Sequence, residues 1–153
     1  MARILVVDDE ILIRRTVKTI LERIGHTAVL AECGHDGAAA IEAYAFDIAV
    51  VDIFKPGMDG LETIRLFRHS APKLPIIAIS GYAFREVSGP APDFLRMAVG
   101  LGATAYLRKP FTAAELMNAV QACDVTRMRN AAKPHASMTI LGAARPAGVP
   151  PPI

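Results

Sequence analysis

Unbroken apolar runs alternate with segments of helical period along most of the chain. Strand-like runs fall at about 3–7, 27–31, 47–52, 75–79 and 104–107. They are apolar almost throughout, as strands buried on both faces require. Between them, a helix over about 10–24 places Ile13, Val17, Ile20, Leu21 and Ile24 on one stripe and stops at Gly25. An Ala-rich helix over about 35–45 turns Ile41 and Tyr44 inward, and one over about 60–69 buries Leu61, Ile64 and Phe67. A fourth, about 92–101, opens at Pro92-Asp93 and carries Phe94, Leu95, Met97 and Ala98. The fifth begins at Thr112-Ala113-Ala114-Glu115, a capping-box spacing, and runs to about Cys123. Strict alternation of five strands and five helices predicts a parallel sheet with right-handed crossovers and helices on both faces. Residues 81–92 form a long connection, and no internal repeat is present.

Polar residues stand just past these apolar runs. Asp8-Asp9 follow Ile4–Val7, Asp52 follows Ile48–Val51, Ser80 follows Ile76–Ile79, and Lys109 comes shortly after Ala105–Leu107. In a parallel sheet all of them emerge at the carboxyl edge, where such sheets bind ligands. Three carboxylates gathered there repel one another by roughly 4 kcal/mol per pair at about 4 Å and an effective dielectric near 20. A divalent metal, the ammonium of Lys109, or both must offset that. The chemistry suggested is metal-assisted handling of an anion at a carboxylate.

Composition bounds the rest. At 153 residues and 52% hydrophobic, the chain is one domain with a sizeable core. No apolar run reaches the ~18 residues of a membrane span, and the start has no secretory pattern. Two cysteines, Cys33 and Cys123, make no disulfide framework and suit a reducing compartment, so a cytoplasmic location is expected. The net charge of +2 is unevenly spread: residues 1–124 carry 13 Lys and Arg against 15 Asp and Glu. The basic excess comes from Arg127, Arg129, Lys133 and Arg145 in residues 125–153, which contain no acid. The folded body therefore gives no argument for nucleic-acid binding. The domain is expected over 1–124. Residues 125–153, with Pro134, Pro146 and Pro150-Pro151-Pro152, are expected to form a basic tail without its own core. A short helical continuation, or docking of the tail onto the body, stays open.

Five motifs, Val6-Val7-Asp8-Asp9-Glu10, Val51-Asp52, Pro56-Gly57-Met58-Asp59-Gly60, Ile79-Ser80-Gly81 and Tyr106-Leu107-Arg108-Lys109-Pro110-Phe111, together resemble the receiver domain of bacterial response regulators. The resemblance covers residues 3 to about 123. It implies a flavodoxin-like (βα)5 doubly wound sheet of strand order 2-1-3-4-5, which the alternation alone allows without showing.

The resemblance also implies roles. Asp52 matches the phosphoacceptor, whose carboxylate attacks a phosphohistidine. Asp9, Asp52 and the backbone carbonyl of Phe54 would ligate Mg²⁺ (or Mn²⁺) directly, and Asp8 largely through water. Helix capping accounts for one acidic residue at this position but poorly for the pair. Lys109 matches the lysine that pairs with phosphoryl oxygens, and the Lys109-Pro110 bond is cis in the family. Ser80 matches the hydroxyl that bonds the phosphoryl group, and Gly81 the small residue that leaves room for the donor. Tyr106 matches the aromatic switch that turns inward when Ser80 moves, with the fourth helix, fifth strand and fifth helix as output face.

Some residues depart from the family. Lys55 replaces an apolar residue before Pro56 and is expected to face solvent. By the resemblance, Phe54 and Tyr82 would border the phosphoryl group, and two bulky aromatics there predict restricted access for the attacking water and a slowly hydrolysed aspartyl phosphate. The long segment after Ser80 leaves the position of the fourth helix open. Cys33, His35 and His26 fit no zinc spacing. Met58, Met97 and Met117 are expected in core or loop packing, and Arg14-Arg15 and Arg65-Arg68 on solvated helix faces.

The expected function is that of a stand-alone receiver in a two-component pathway or phosphorelay, catalysing only its own phosphorylation and dephosphorylation. Its phosphoryl source is a histidine kinase or histidine phosphotransfer protein, and its output is protein binding, with a homodimer on phosphorylation left open. A phosphate-independent docking module is one alternative. An aspartate-nucleophile phosphohydrolase is another; it lacks the second Asp two positions beyond the nucleophile, where Asp52 has Phe54. No glycine-rich turn follows the first strand, which argues against dinucleotide binding.

Overall fold

The computed structural model describes residues 1–53, 60–81 and 94–132. Five parallel strands, β1 (Arg3–Val7), β2 (Thr27–Ala31), β3 (Ile48–Asp52), β4 (Ile76–Ser80) and β5 (Ala105–Arg108), form one sheet in the order β2-β1-β3-β4-β5. The expected flavodoxin-like order is thus present.

Alternate residues of β1 to β4 serve two separate cores, because successive side chains point to opposite faces, whereas β5 gives Ala105 and Leu107 to one core only. Leu5, Val7, Ala49, Val51 and Ala78 pack beneath α2 (Gly34–Ala43), α3 (Gly60–Ser70) and α4 (Phe94–Gly100), which contribute Ala38, Leu61, Ile64, Phe67 and Ala98. Ile4, Val6, Ile48, Val50, Ile77 and Ile79 meet Val17 and Leu21 of α1 (Ile11–Arg23) and Leu116, Val120 and Cys123 of α5 (Ala113–Ala132). Burial on both faces explains why the strands are apolar without alternation. The sulfur of Cys123 shares this environment, and burial, then the neighbouring Asp124, pushes its pKa up to about 12.

Local signals shape the ends of these elements. Gly25, at φ +89°, reverses the chain after α1 at little steric cost. The capping box before α5 is complete: the Thr112 N–H donates to Glu115 Oε2 at 2.7 Å, and the Glu115 N–H to Thr112 Oγ1 at 3.2 Å.

The structure departs from several expectations. The second helix ends at Ala43, so Tyr44 adopts an extended conformation and is 58% exposed rather than inward; the Arg3 guanidinium lies 5.1 Å from its ring centroid. Met97 and Met117 are exposed as well and are not core residues. The fifth helix passes residue 124 and ends at Ala132, and Arg127 Nη1 meets Asp47 Oδ1 at 2.6 Å, tying the extension to the body. The Arg3 N–H bond and Arg127 outweigh burial and hold Asp47 below the ordinary carboxylate range. Arg68 is not on a solvated face: Nη2 donates to the Gly102 carbonyl at 2.6 Å, and Nη1 to the carbonyls of Leu74 and Pro72. The expected helix start at Pro92-Asp93, Met58, the 81–92 connection beyond Gly81, and the tail past Ala132 lie outside the described residues.

Candidate functional site

The strand order brings the predicted polar residues to one edge of the sheet. Asp8 follows β1, Asp52 ends β3 and Ser80 ends β4; Lys109 follows β5. Since β1, β3, β4 and β5 stand side by side, residues far apart in sequence meet here.

Asp8, Asp9 and Asp52 each offer a carboxylate oxygen, and these oxygens all lie within 4.8 Å of one another. Asp8 and Asp52 are both 2% exposed, whereas Asp9 faces solvent. The Lys109 ammonium reaches in from the β5 side and donates to Asp8 Oδ2 at 3.0 Å and to Asp52 Oδ2 at 3.1 Å. Glu10 Oε1 stands further off, at 3.8 Å. Burial opposes charge on Lys109, but Asp52 and Asp8 outweigh it and raise its pKa above the ordinary value. One cation thus serves two buried anions, and a third anion borders the same space. An all-oxygen donor set that is partly open to water suits a hard divalent cation. Among the described residues this is the one cluster of metal-ligating side chains. His26 instead accepts the Ala2 N–H through Nδ1 at 3.0 Å, a structural role.

The turn that carries the acidic pair has its own bracing. Asp8 N–H continues the ladder to the Ala31 carbonyl at 3.3 Å, and Asp8 Oδ1 accepts the Glu10 N–H at 2.9 Å, an Asx turn just ahead of α1, whose first turn has no side-chain cap. Sequence reasoning missed one residue here. Arg14, expected on a solvated face, is 6% exposed, and its Nη1 donates to the Asp8 carbonyl at 2.7 Å and the Asp9 carbonyl at 3.2 Å.

Ser80 is buried, and its carbonyl accepts the Lys109 N–H at 2.7 Å, which fixes the backbone that carries the lysine. Gly81 leaves open space: a Cβ there would have Lys109 Cδ as its nearest neighbour, 3.9 Å away. The Lys109–Pro110 peptide is cis. Tyr106 pairs with Ala78 in register and is 56% exposed, so it is not a buried strand aromatic. Phe54, Lys55, Pro56 and Tyr82 lie outside the described residues.

A doubly wound five-stranded sheet with an acidic cluster and a lysine at its carboxyl edge defines a class. Comparison with known proteins gives that class a family: the response regulator receiver domain matches residues 4–121, and the chain belongs to it. Similar proteins include the response regulator MprA of Mycobacterium ulcerans, 35% identical over 125 residues (78% of this chain), and the cell cycle response regulator CtrA of Brucella ovis, 31% identical over 120 residues (78% of this chain). The chain spans about half the length of these curated relatives, 49% of each. Among solved structures, a CheY-like receiver domain protein from Methanospirillum hungatei superposes with a TM-score of 0.74 at 28% identity, covering 84% of this chain and 98% of that one. The chemotaxis protein CheY4 of Vibrio cholerae gives 0.68 at 28% identity, covering 79% and 97%. Among the described residues no helix is long and apolar enough to cross a membrane.

Proposed function

We propose that this chain is a phosphorylation switch of two-component signalling in which Asp52 accepts a phosphoryl group from a phosphohistidine. The observation that carries this reading is the Lys109 ammonium, held by Asp8 at 3.0 Å and Asp52 at 3.1 Å beside an exposed third carboxylate, Asp9. A carboxylate oxygen of Asp52 attacks phosphorus in line. The P–O bond forms as the P–N bond breaks, and the bonding pair leaves on the imidazole nitrogen. Asp8, Asp9, Asp52 and the Phe54 carbonyl would hold Mg²⁺ or Mn²⁺; when bound, the cation neutralises the charge of the carboxylates and the phosphoryl oxygens.

Lys109 is already charged and placed beside Asp52, so it can exchange a carboxylate partner for a phosphoryl oxygen without crossing the site. Ser80 would donate its hydroxyl to the phosphoryl group. Tyr106, outward as described, would turn inward and change the face formed by α4, β5 and α5. The donor is a histidine kinase or histidine phosphotransfer protein, and the output is protein binding in the cytoplasm, with a phosphorylation-linked homodimer as one form. Catalysis is confined to the protein's own phosphorylation and dephosphorylation.

Incubation with acetyl phosphate and Mg²⁺ is expected to add one phosphoryl group to the intact mass, a gain absent in Asp52→Ala and in excess chelator. If neither acetyl phosphate nor a phosphorylated histidine phosphotransfer protein produces the gain, the reading is wrong.

A further inference from the structure

Arg14 is the only cation among the buried polar side chains of the described residues; the others are Asp8, Asp52, Ser80 and Thr63. Three of those four belong to the acidic site, and Arg14 touches the turn that carries it. Its Nη1 spans two successive carbonyls, Asp8 at 2.7 Å and Asp9 at 3.2 Å, while Nη2 meets Glu32 Oε1 at 3.2 Å. The Glu32 side chain is 77% exposed, so that ion pair is worth little and does not account for burying a guanidinium. The two carbonyls do account for it, since hydrogen bonds from a charged donor are among the stronger ones.

Those carbonyls fix the planes of the peptides that follow Asp8 and Asp9, and with them the direction in which the Asp9 side chain leaves the backbone. That direction matters because Asp9 is exposed, so burial does not fix its side chain. Its position beside the other two carboxylates therefore depends on the backbone turn. Both carbonyls are held by Nη1, whose two N–H groups point in directions fixed by the guanidinium plane; an ammonium has three donors but no such plane, and sits on a freely turning stem.

We propose that Arg14 is a positioning residue of the cation site: by clamping the Asp8 and Asp9 carbonyls it holds the Asp9 carboxylate where a divalent cation binds. This rests on the receiver reading above. The test is Mn²⁺ binding to the full chain, read as the loss of free-Mn²⁺ EPR signal, for wild type, Asp9→Ala, Arg14→Met and Arg14→Lys, with the folded fraction of each checked by circular dichroism. Wild type is expected to bind Mn²⁺, Asp9→Ala to lose it, and both Arg14 variants to bind at least about tenfold more weakly while folded, or about 1.4 kcal/mol. A merely structural arginine would lower the melting temperature and leave the affinity of the folded protein alone. Affinity within twofold of wild type in either folded Arg14 variant overturns the proposal. Should Arg14→Met fail to fold, Arg14→Lys, which keeps the charge, decides. Absence of Asp9-dependent binding in wild type overturns the cation reading itself, a result distinct from failure of the Arg14 role.

Discussion

Gly60→Ala is expected to cost about 3–5 kcal/mol of stability and to disturb the acidic site together with the fold. Gly60 opens α3 directly against the end of β3. A Cβ there would overlap Ile53 Cα and the Asp52 carbonyl oxygen. Neither atom belongs to a side chain that can rotate away. Ile53 N–H is bonded to the Ile79 carbonyl at 2.8 Å, so relief requires β3 to leave β4 or α3 to leave the sheet. Either movement displaces the backbone that carries Asp52. Urea unfolding together with Mn²⁺ titration tests this, and a variant within about 1 kcal/mol of wild type with unchanged affinity would contradict the close approach.

Lys109→Met is expected to destabilise the metal-free protein by about 3 kcal/mol, because it leaves two buried carboxylates facing each other with their shared cation gone. The side chains of Asp8 and Asp52 are 2% and 3% exposed, so water screens little of that repulsion. Saturating Mg²⁺ should restore much of the loss, since a cation that binds the folded state alone adds stability by mass action. The sign of the pH dependence follows from the raised pKa of Lys109. Its stabilisation is fully present below the ordinary 10.5 and is lost as pH rises through the higher folded value. The stability gap between wild type and Lys109→Met, measured in chelator, should therefore narrow in that alkaline window. A gap constant across it would mean that the ammonium stabilises neither carboxylate.

The strands and the main site residues were legible in the sequence for a common reason. Runs such as Ile48–Val51 are apolar because both faces are covered, so the first polar residue after each run marks the carboxyl edge where ligands bind. Arg14 was readable too, though its charge pointed outward: positions 14, 17 and 21 share one helical stripe, and Val17 and Leu21 are buried. Arg68 stands one turn after Ile64 and follows the same logic. Charge suggests solvent, but carbonyls left bare at loop ends can draw a guanidinium inward. Tyr44 failed differently. The sequence Ala43-Tyr44-Ala45-Phe46 contains neither glycine nor proline, so the helical period carried on past the point where the backbone leaves the helix. The extension of α5 to Ala132 was obscured by a shift in composition, although Arg127 on that extension finds Asp47.

The identity of the acceptor is the most direct test of the account. The protein would be treated with acetyl phosphate and Mg²⁺, reduced with borohydride, which converts an aspartyl phosphate to homoserine, and mapped by peptide mass. The account predicts homoserine at position 52 alone, and none when chelator replaces Mg²⁺. Homoserine elsewhere, or none in a protein that binds the cation normally, would contradict the assignment of Asp52 as the phosphoryl acceptor.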